Sequence, residues 1–147
     1  NLKGKATELP GEIDSNYKIE IDESTSYILK VSKADENIEQ LDFQQKLLKY
    51  VEESATNLTT PKIILDKNKK AISEIIDESG KTRKIRLLTW ISGRMWSVVN
   101  PQLDELRYSL GSECGKLTKA LQGFKHKKDT RNFGRISFAY NMLLKNL

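Results

Sequence analysis

Tyr17, Ile19 and Ile21 alternate with Lys18, Glu20 and Asp22, and a period of two predicts a β-strand with one buried face. The turn formers Glu23-Ser24-Thr25-Ser26 come next. They lead into Tyr27-Ile28-Leu29-Lys30-Val31, a second strand with Tyr27, Leu29 and Val31 on one face and Ile28 and Lys30 on the other. Two strands around one short turn make a hairpin. Ahead of it lies Gly11-Glu12-Ile13-Asp14-Ser15-Asn16, a turn rich in Gly, Asp and Ser.

Asp35 is expected to cap a helix, with Glu36 in its first turn, that runs to about Glu53. Its apolar positions Ile38, Leu41, Leu47, Leu48 and Val51 keep the spacing of three and four, and Gln44 falls inside that stripe. After the Thr59-Thr60-Pro61 stop come three β-like runs, Lys62–Leu65, Ala71–Ile76 and Lys84–Ile91. The turn signals Asp66-Lys67-Asn68-Lys69 and Asp77-Glu78-Ser79-Gly80 separate them, which predicts an antiparallel meander. The last run ends at Gly93, and a connector leads to Asn100. From there Leu103, Leu106, Leu110, Cys114, Leu117, Leu121 and Phe124 predict a long helix, with Asn100 as cap and Pro101 at its first position. An apolar segment, Phe138 to Leu147, could form a short final helix. The fold class is therefore α+β: an antiparallel sheet of about five strands with one packed helix, then a connector and a long amphipathic helix.

A chain of 147 residues has room for one core, burying roughly 70% of the surface its unfolded form exposes. Hydrophobic residues at 37% against 31% charged exceed the low-apolar profile of disorder, so the chain should fold around a modest core. The net charge of +5 is densest at Lys125, Lys127, Lys128 and Arg131, a pattern that suits polyanions in general. Aromatic residues interleave with that cluster, but no nucleic-acid motif does, so a nucleic-acid partner is not expected. Cys114 stands alone, which rules out a disulfide framework and suits a reducing compartment. Its place in the apolar stripe reads as core packing rather than nucleophilic chemistry. No apolar run approaches the ~20 residues of a membrane span, and no leader is present, so a cytoplasmic protein with no membrane partner is expected.

Three stretches carry a family resemblance: Glu8-Leu9-Pro10-Gly11-Glu12-Ile13-Asp14-Ser15-Asn16-Tyr17, Tyr27-Ile28-Leu29-Lys30-Val31 and Arg86-Leu87-Leu88-Thr89-Trp90-Ile91-Ser92-Gly93. Together, over about Gly4 to Phe124, they resemble the N-terminal part of the aminoglycoside-phosphotransferase-like family. The similarity is greatest to its small-metabolite branch, which includes hydroxylysine-kinase-like proteins and phosphotransferase modules fused to class III aminotransferases. The resemblance implies a kinase-like small lobe over residues 1–93 and, over 94–147, a connector and helical segment leading to a large lobe.

It also implies site residues. Lys30 would meet the α- and β-phosphates of ATP, Ile28 would cover the adenine, and the turn with Gly11, Asp14, Ser15 and Asn16 would close over the phosphates. Gln44 would orient Lys30 where most kinases use an acid. The main chain of Leu88, Thr89, Trp90 and Ile91 would bond the adenine edge. Neither His-x-Asp-x-x-x-x-Asn nor a metal-binding Asp-Phe-Gly occurs: His126-Lys127-Lys128-Asp129 sets Asp one place too late, and Phe133 stands where Asn belongs. The catalytic base and the magnesium ligands are expected in an absent lobe, together with the pocket for a small-molecule acceptor. This chain alone would then be inactive. Apolar surface at Leu110, Leu117, Leu121 and the tail would favour a homodimer. A non-catalytic pseudokinase-like or interaction module fused to another enzyme is the alternative.

Overall fold

The computed structural model describes residues 3–127 apart from 12, 35, 55 and 56. The proposed cap Asp35, the basic residues Lys128 and Arg131 and the segment 138–147 lie outside these. The chain divides into two compact units, residues 1–45 with 61–90, and residues 46–60 with 91–147.

The first unit is built on β1 (Lys5–Leu9), β2 (Ser15–Glu20), β3 (Ser26–Val31), β4 (Ile63–Ile64), β5 (Ser73–Ile76) and β6 (Thr82–Thr89). All pairings are antiparallel, in the order β1-β2-β3-β6-β4, with β5 also on β6. β6 is the organising strand. Along one edge it pairs with the whole of β3 from Tyr27 to Val31; along the other it holds β5 through residues 82–85 and β4 through 87–88, end to end. The expected meander is corrected accordingly: β4 and β5 share one edge of β6 instead of following one another across the sheet. The turns are as the sequence predicts. Asp66 Oδ1 accepts from the N–H groups of Asn68 and Lys70, and Asp77 Oδ1 from those of Ser79 and Lys81. Gly80 closes the second turn at φ +77°, a left-handed conformation that glycine adopts without strain. β1 is an addition to the predicted set.

α1 (Ile38–Ser54) contributes its first eight residues to the first unit and the rest to the second. Its cap is Asn37, whose Oδ1 accepts from the Glu39 N–H at 2.8 Å, so the start falls two residues later than an Asp35 cap implies and Glu36 precedes the first turn. Of the predicted stripe, Leu41, Leu47, Leu48 and Val51 are buried, while Ile38 at the mouth of the helix is half exposed.

In the second unit Leu47, Leu48 and Val51 are buried, as are Leu117 and Ala120 of α2 (Asp104–Ala120) and Phe124 beyond it. The Tyr50 and Phe124 rings lie 5.3 Å apart, and Tyr50 Oη donates to the Gln122 carbonyl at 2.8 Å. The helix start also needs correction. Leu103 is the N-cap, and Asp104 and Glu105 fill the first turn, where carboxylates meet the positive end of the helix dipole. Asn100 and Pro101 precede the helix. A single 3-10 turn, Trp96–Val98, interrupts the connector. Leu103 and Leu106 of the stripe are exposed and Cys114 is half-buried. Leu117, expected among the uncovered residues, is buried within its own chain because the last turns of α2 belong to this core. Among the described residues no helix is long and apolar enough to cross a membrane.

Candidate functional site

Strand register places the functional side chains. Asn16 on β2 pairs with Lys30 on β3, which pairs with Arg86 on β6; one step along, Lys18 pairs with Ile28 and Ile28 with Leu88. Partners across a ladder, and residues two apart along a strand, share a face, so all six side chains lie on one side of the sheet. Ile28, Leu88 and Arg86 are buried there, and Gln44 of α1 reaches Arg86 on that side.

The opposite face carries Tyr17, Leu29, Leu87 and Ile64. Ile19, Leu29, Ile64, Ile85 and Leu87 line an open groove of about 310 Å³ on it. The alternating apolar set of β2 therefore faces a groove and is only half-buried, because the covering helix lies on the other side. The polar set is used as well: Lys18 Nζ pairs with Glu20 Oε1 at 2.8 Å and stands 5.1 Å from the centre of the Trp90 ring.

Arg86 is the centre of the site. It is 4% exposed, and its Nη2 donates to Asp14 Oδ2 at 2.7 Å while Nη1 donates to Gln44 Oε1. Its Nε is buried without a partner. Lys30 Nζ lies 3.8 Å from the same Asp14 Oδ2, with side-chain exposures of 17% for the lysine and 13% for the aspartate. One carboxylate oxygen thus serves two cations. Burial pulls the Arg86 pKa below its ordinary value, and the charge and hydrogen bond of Asp14, with a smaller contribution from Glu36, oppose that pull. The guanidinium stays protonated throughout the range in which proteins fold.

Asp14 reaches this position because the turn before β2 folds tightly on itself. A Cβ on Gly11 would stand 2.2 Å from the Asp14 carbonyl oxygen and 2.6 Å from Asn16 Nδ2, so only glycine fits. Asn16 Nδ2 donates to the Asp14 carbonyl at 3.3 Å and helps to hold the turn.

Of the residues singled out in the sequence, Asp14 and Gln44 bond Arg86, Lys30 shares Asp14 Oδ2 with it, Gly11 and Asn16 shape the turn that carries Asp14, and Ile28 and Leu88 lie one row along on the same face. Ser15 opens β2 on the other face and is exposed. At the end of β6 the Thr89 N–H donates to the Lys62 carbonyl at 2.9 Å and the Trp90 N–H to the Ser26 carbonyl at 3.1 Å; Ile91 follows directly. Arg86 itself was not among the sequence candidates. Its signal was a cation between Ile85 and Leu87, close to Arg83 and Lys84, and its meaning depends on the pairing of β6 with β3. Among the described residues no three His, Cys, Asp or Glu side chains gather as a metal site.

A family model described as "Phosphotransferase enzyme family" (APH) matches residues 5–143. The fold is similar to that of the amicoumacin kinase hAmiN, solved in complex with AMP-PNP, Ca2+ and Ami, with a TM-score of 0.68 at 19% identity over 84% of this chain and 36% of that one. It is also similar to a microcompartment-associated aminopropanol kinase, with a TM-score of 0.65 at 14% identity over 97% of this chain and 42% of that one. This chain thus spans well under half the length of either kinase. The likeness extends to the α+β sheet-and-helix architecture of a kinase small lobe. No curated protein sequence matches the chain.

Proposed function

The chain belongs to the phosphotransferase enzyme family, and from that premise we propose that it is the ATP-binding N-terminal segment of a cytoplasmic kinase that phosphorylates a hydroxyl group on a small molecule. The observation that carries this reading is the position of Lys30, beside the tight Gly11–Asn16 turn and in the row next to the buried apolar pair Ile28 and Leu88. Phosphoryl transfer depends on positioning and charge neutralisation, and an ammonium next to a folded turn is suited to the phosphates of a nucleotide. Ile28 and Leu88 offer an apolar surface to the adenine. The Thr89 and Trp90 N–H groups are engaged in the sheet, so a main-chain bond from this stretch to the adenine edge would use other groups, their carbonyl oxygens included. Residues 1–93 act as the nucleotide lobe, and 94–147 lead toward the part that holds the acceptor, the catalytic base and the magnesium ligands. The AMP-PNP and Ca2+ in the amicoumacin kinase complex support a nucleotide and a divalent cation for the whole enzyme.

The test is a calorimetric titration of AMP-PNP into the wild-type chain and Lys30→Ala. The expected result is a loss of about tenfold or more in affinity, ~1.4 kcal/mol, with a nearly unchanged melting temperature. Equal binding by both proteins would refute the assignment.

A further inference from the structure

We propose that Arg86 is a second phosphate-binding cation beside Lys30, and that the Asp14 carboxylate is an internal occupant of this two-cation seat which a nucleotide phosphate displaces. The inference rests on the nucleotide reading above and adds to it a residue and an exchange.

The guanidinium geometry carries the argument. The Nε and Nη2 groups form the side-on edge with which an arginine grips two oxygens of a carboxylate or phosphate. Asp14 fills only half of that edge: Oδ2 accepts from Nη2 at 2.7 Å, and Nε is buried without an acceptor. A structural salt bridge at this depth would be expected to satisfy both, because an unmet donor in a buried charged group is costly. The same Oδ2 is also the oxygen facing Lys30 Nζ at 3.8 Å, longer than a hydrogen bond. A phosphate group, with three oxygens and a greater charge, can complete the Nε–Nη2 fork and approach the ammonium together.

Two further features suit exchange. Gln44 holds Nη1 from the helix side, so the guanidinium keeps its orientation when Asp14 leaves. Asp14 sits on a turn between strands, and its side chain, though mostly covered, retains contact with solvent. Lys30 and Arg86 both face Asp14, and Glu36 acts on Arg86 from farther away and is itself 4.0 Å from Lys33 Nζ. Two anions that compete for the same pair of cations weaken each other by the same factor.

The experiment titrates ADP and, separately, adenosine into the wild-type chain, Lys30→Ala, Asp14→Asn and Arg86→Lys, with circular dichroism confirming the fold of each. Asp14→Asn keeps an acceptor for Nη2 and removes the competing charge. Its ADP affinity should rise by about fivefold or more, the lower end of ordinary coupling between two ligands, while adenosine affinity stays the same. Arg86→Lys keeps the charge, loses the fork, and should weaken ADP binding alone. If ADP binding depends on Lys30 but Asp14→Asn binds ADP no tighter than wild type, or shifts ADP and adenosine equally, the Asp14–Arg86 pair is a structural strut and this inference is wrong while the nucleotide reading stands. If Arg86→Lys does not fold, the Asp14→Asn comparison decides alone. Absence of ADP binding in the wild type overturns both.

Discussion

Removing Asp14 should cost the unliganded protein stability, and only in the presence of Arg86. In Asp14→Ala the guanidinium keeps Gln44 but loses its one charged acceptor, while Nε is already unpartnered. Stranding a buried charge in this way costs about 3–5 kcal/mol, and a hydrogen bond to a charged group contributes about 1.5–3 kcal/mol. Because the Asp14 side chain is 13% exposed and the guanidinium keeps Gln44, the loss should lie nearer the hydrogen-bond figure, about 2–3 kcal/mol. Arg86→Met leaves Asp14 with Lys30 alone and Gln44 Oε1 without its donor, for about 2 kcal/mol. In the double variant no buried charge is stranded, so its loss should fall short of the sum by about 2 kcal/mol. Urea denaturation followed by far-UV circular dichroism gives all four stabilities, and with slopes of about 1–3 kcal/mol/M a single-variant loss of this size moves the midpoint by about 0.7–3 M. Losses that add to within about 0.5 kcal/mol would show that the two side chains do not act as a unit.

Leu41, 1% exposed on the first turns of α1, should lose about 2–5 kcal/mol on Leu41→Ala through lost burial and the cavity left behind, read from the same denaturation curves; a loss under about 1 kcal/mol would mean that the helix does not anchor there. Acid should selectively weaken the turn at Asp77, whose carboxyl is held far below its ordinary value of 3.8 by hydrogen bonds from Ser79 and Arg83 first. A depressed folded value means that the contribution is complete above about pH 5 and fades as pH falls through the ordinary carboxyl value and below it. The melting-temperature gap between wild type and Asp77→Asn should therefore shrink between about pH 5 and pH 2, and a gap independent of pH would count against the assignment.

The parts of the fold legible in the sequence were those where side chains carry the signal. β2 and β3 show an alternation, α1 buries the leucines of its stripe and α2 buries Leu117 near its end, and the Asp66 and Asp77 turns use their own carboxylates. β1 gave no such signal, since Lys5 to Leu9 offers only Ala6 and Leu9 as apolar residues and the strand is held by main-chain pairing with β2. Both helix starts were misplaced for a related reason. At α1 two capping residues, Asp35 and Asn37, stand two positions apart and only the second caps; at α2 the cap is Leu103, which offers no side-chain bond, so capping chemistry does not mark the start. At the site, Lys30 and the Gly11 turn were readable. Arg86 was not, because it is one of three cations on β6 and nothing distinguishes it from Arg83 and Lys84 until the register shows that it pairs with Lys30.

That register limits how the protein can change in length. Lys30 meets Arg86 and Asn16 by rung number, and a single residue inserted within β3 before Lys30 would turn the ammonium to the groove side of the sheet. Two inserted residues would restore the side but slide Lys30 by about 6.6 Å along the ladder, out of reach of Asp14. Residues added between β2 and β3, or between β4 and β5, leave every rung where it was. Changes of length compatible with this site therefore belong in the connections, and the spacing from Ser26 to Lys30 and from Thr82 to Arg86 is as much a part of the site as the charges it aligns.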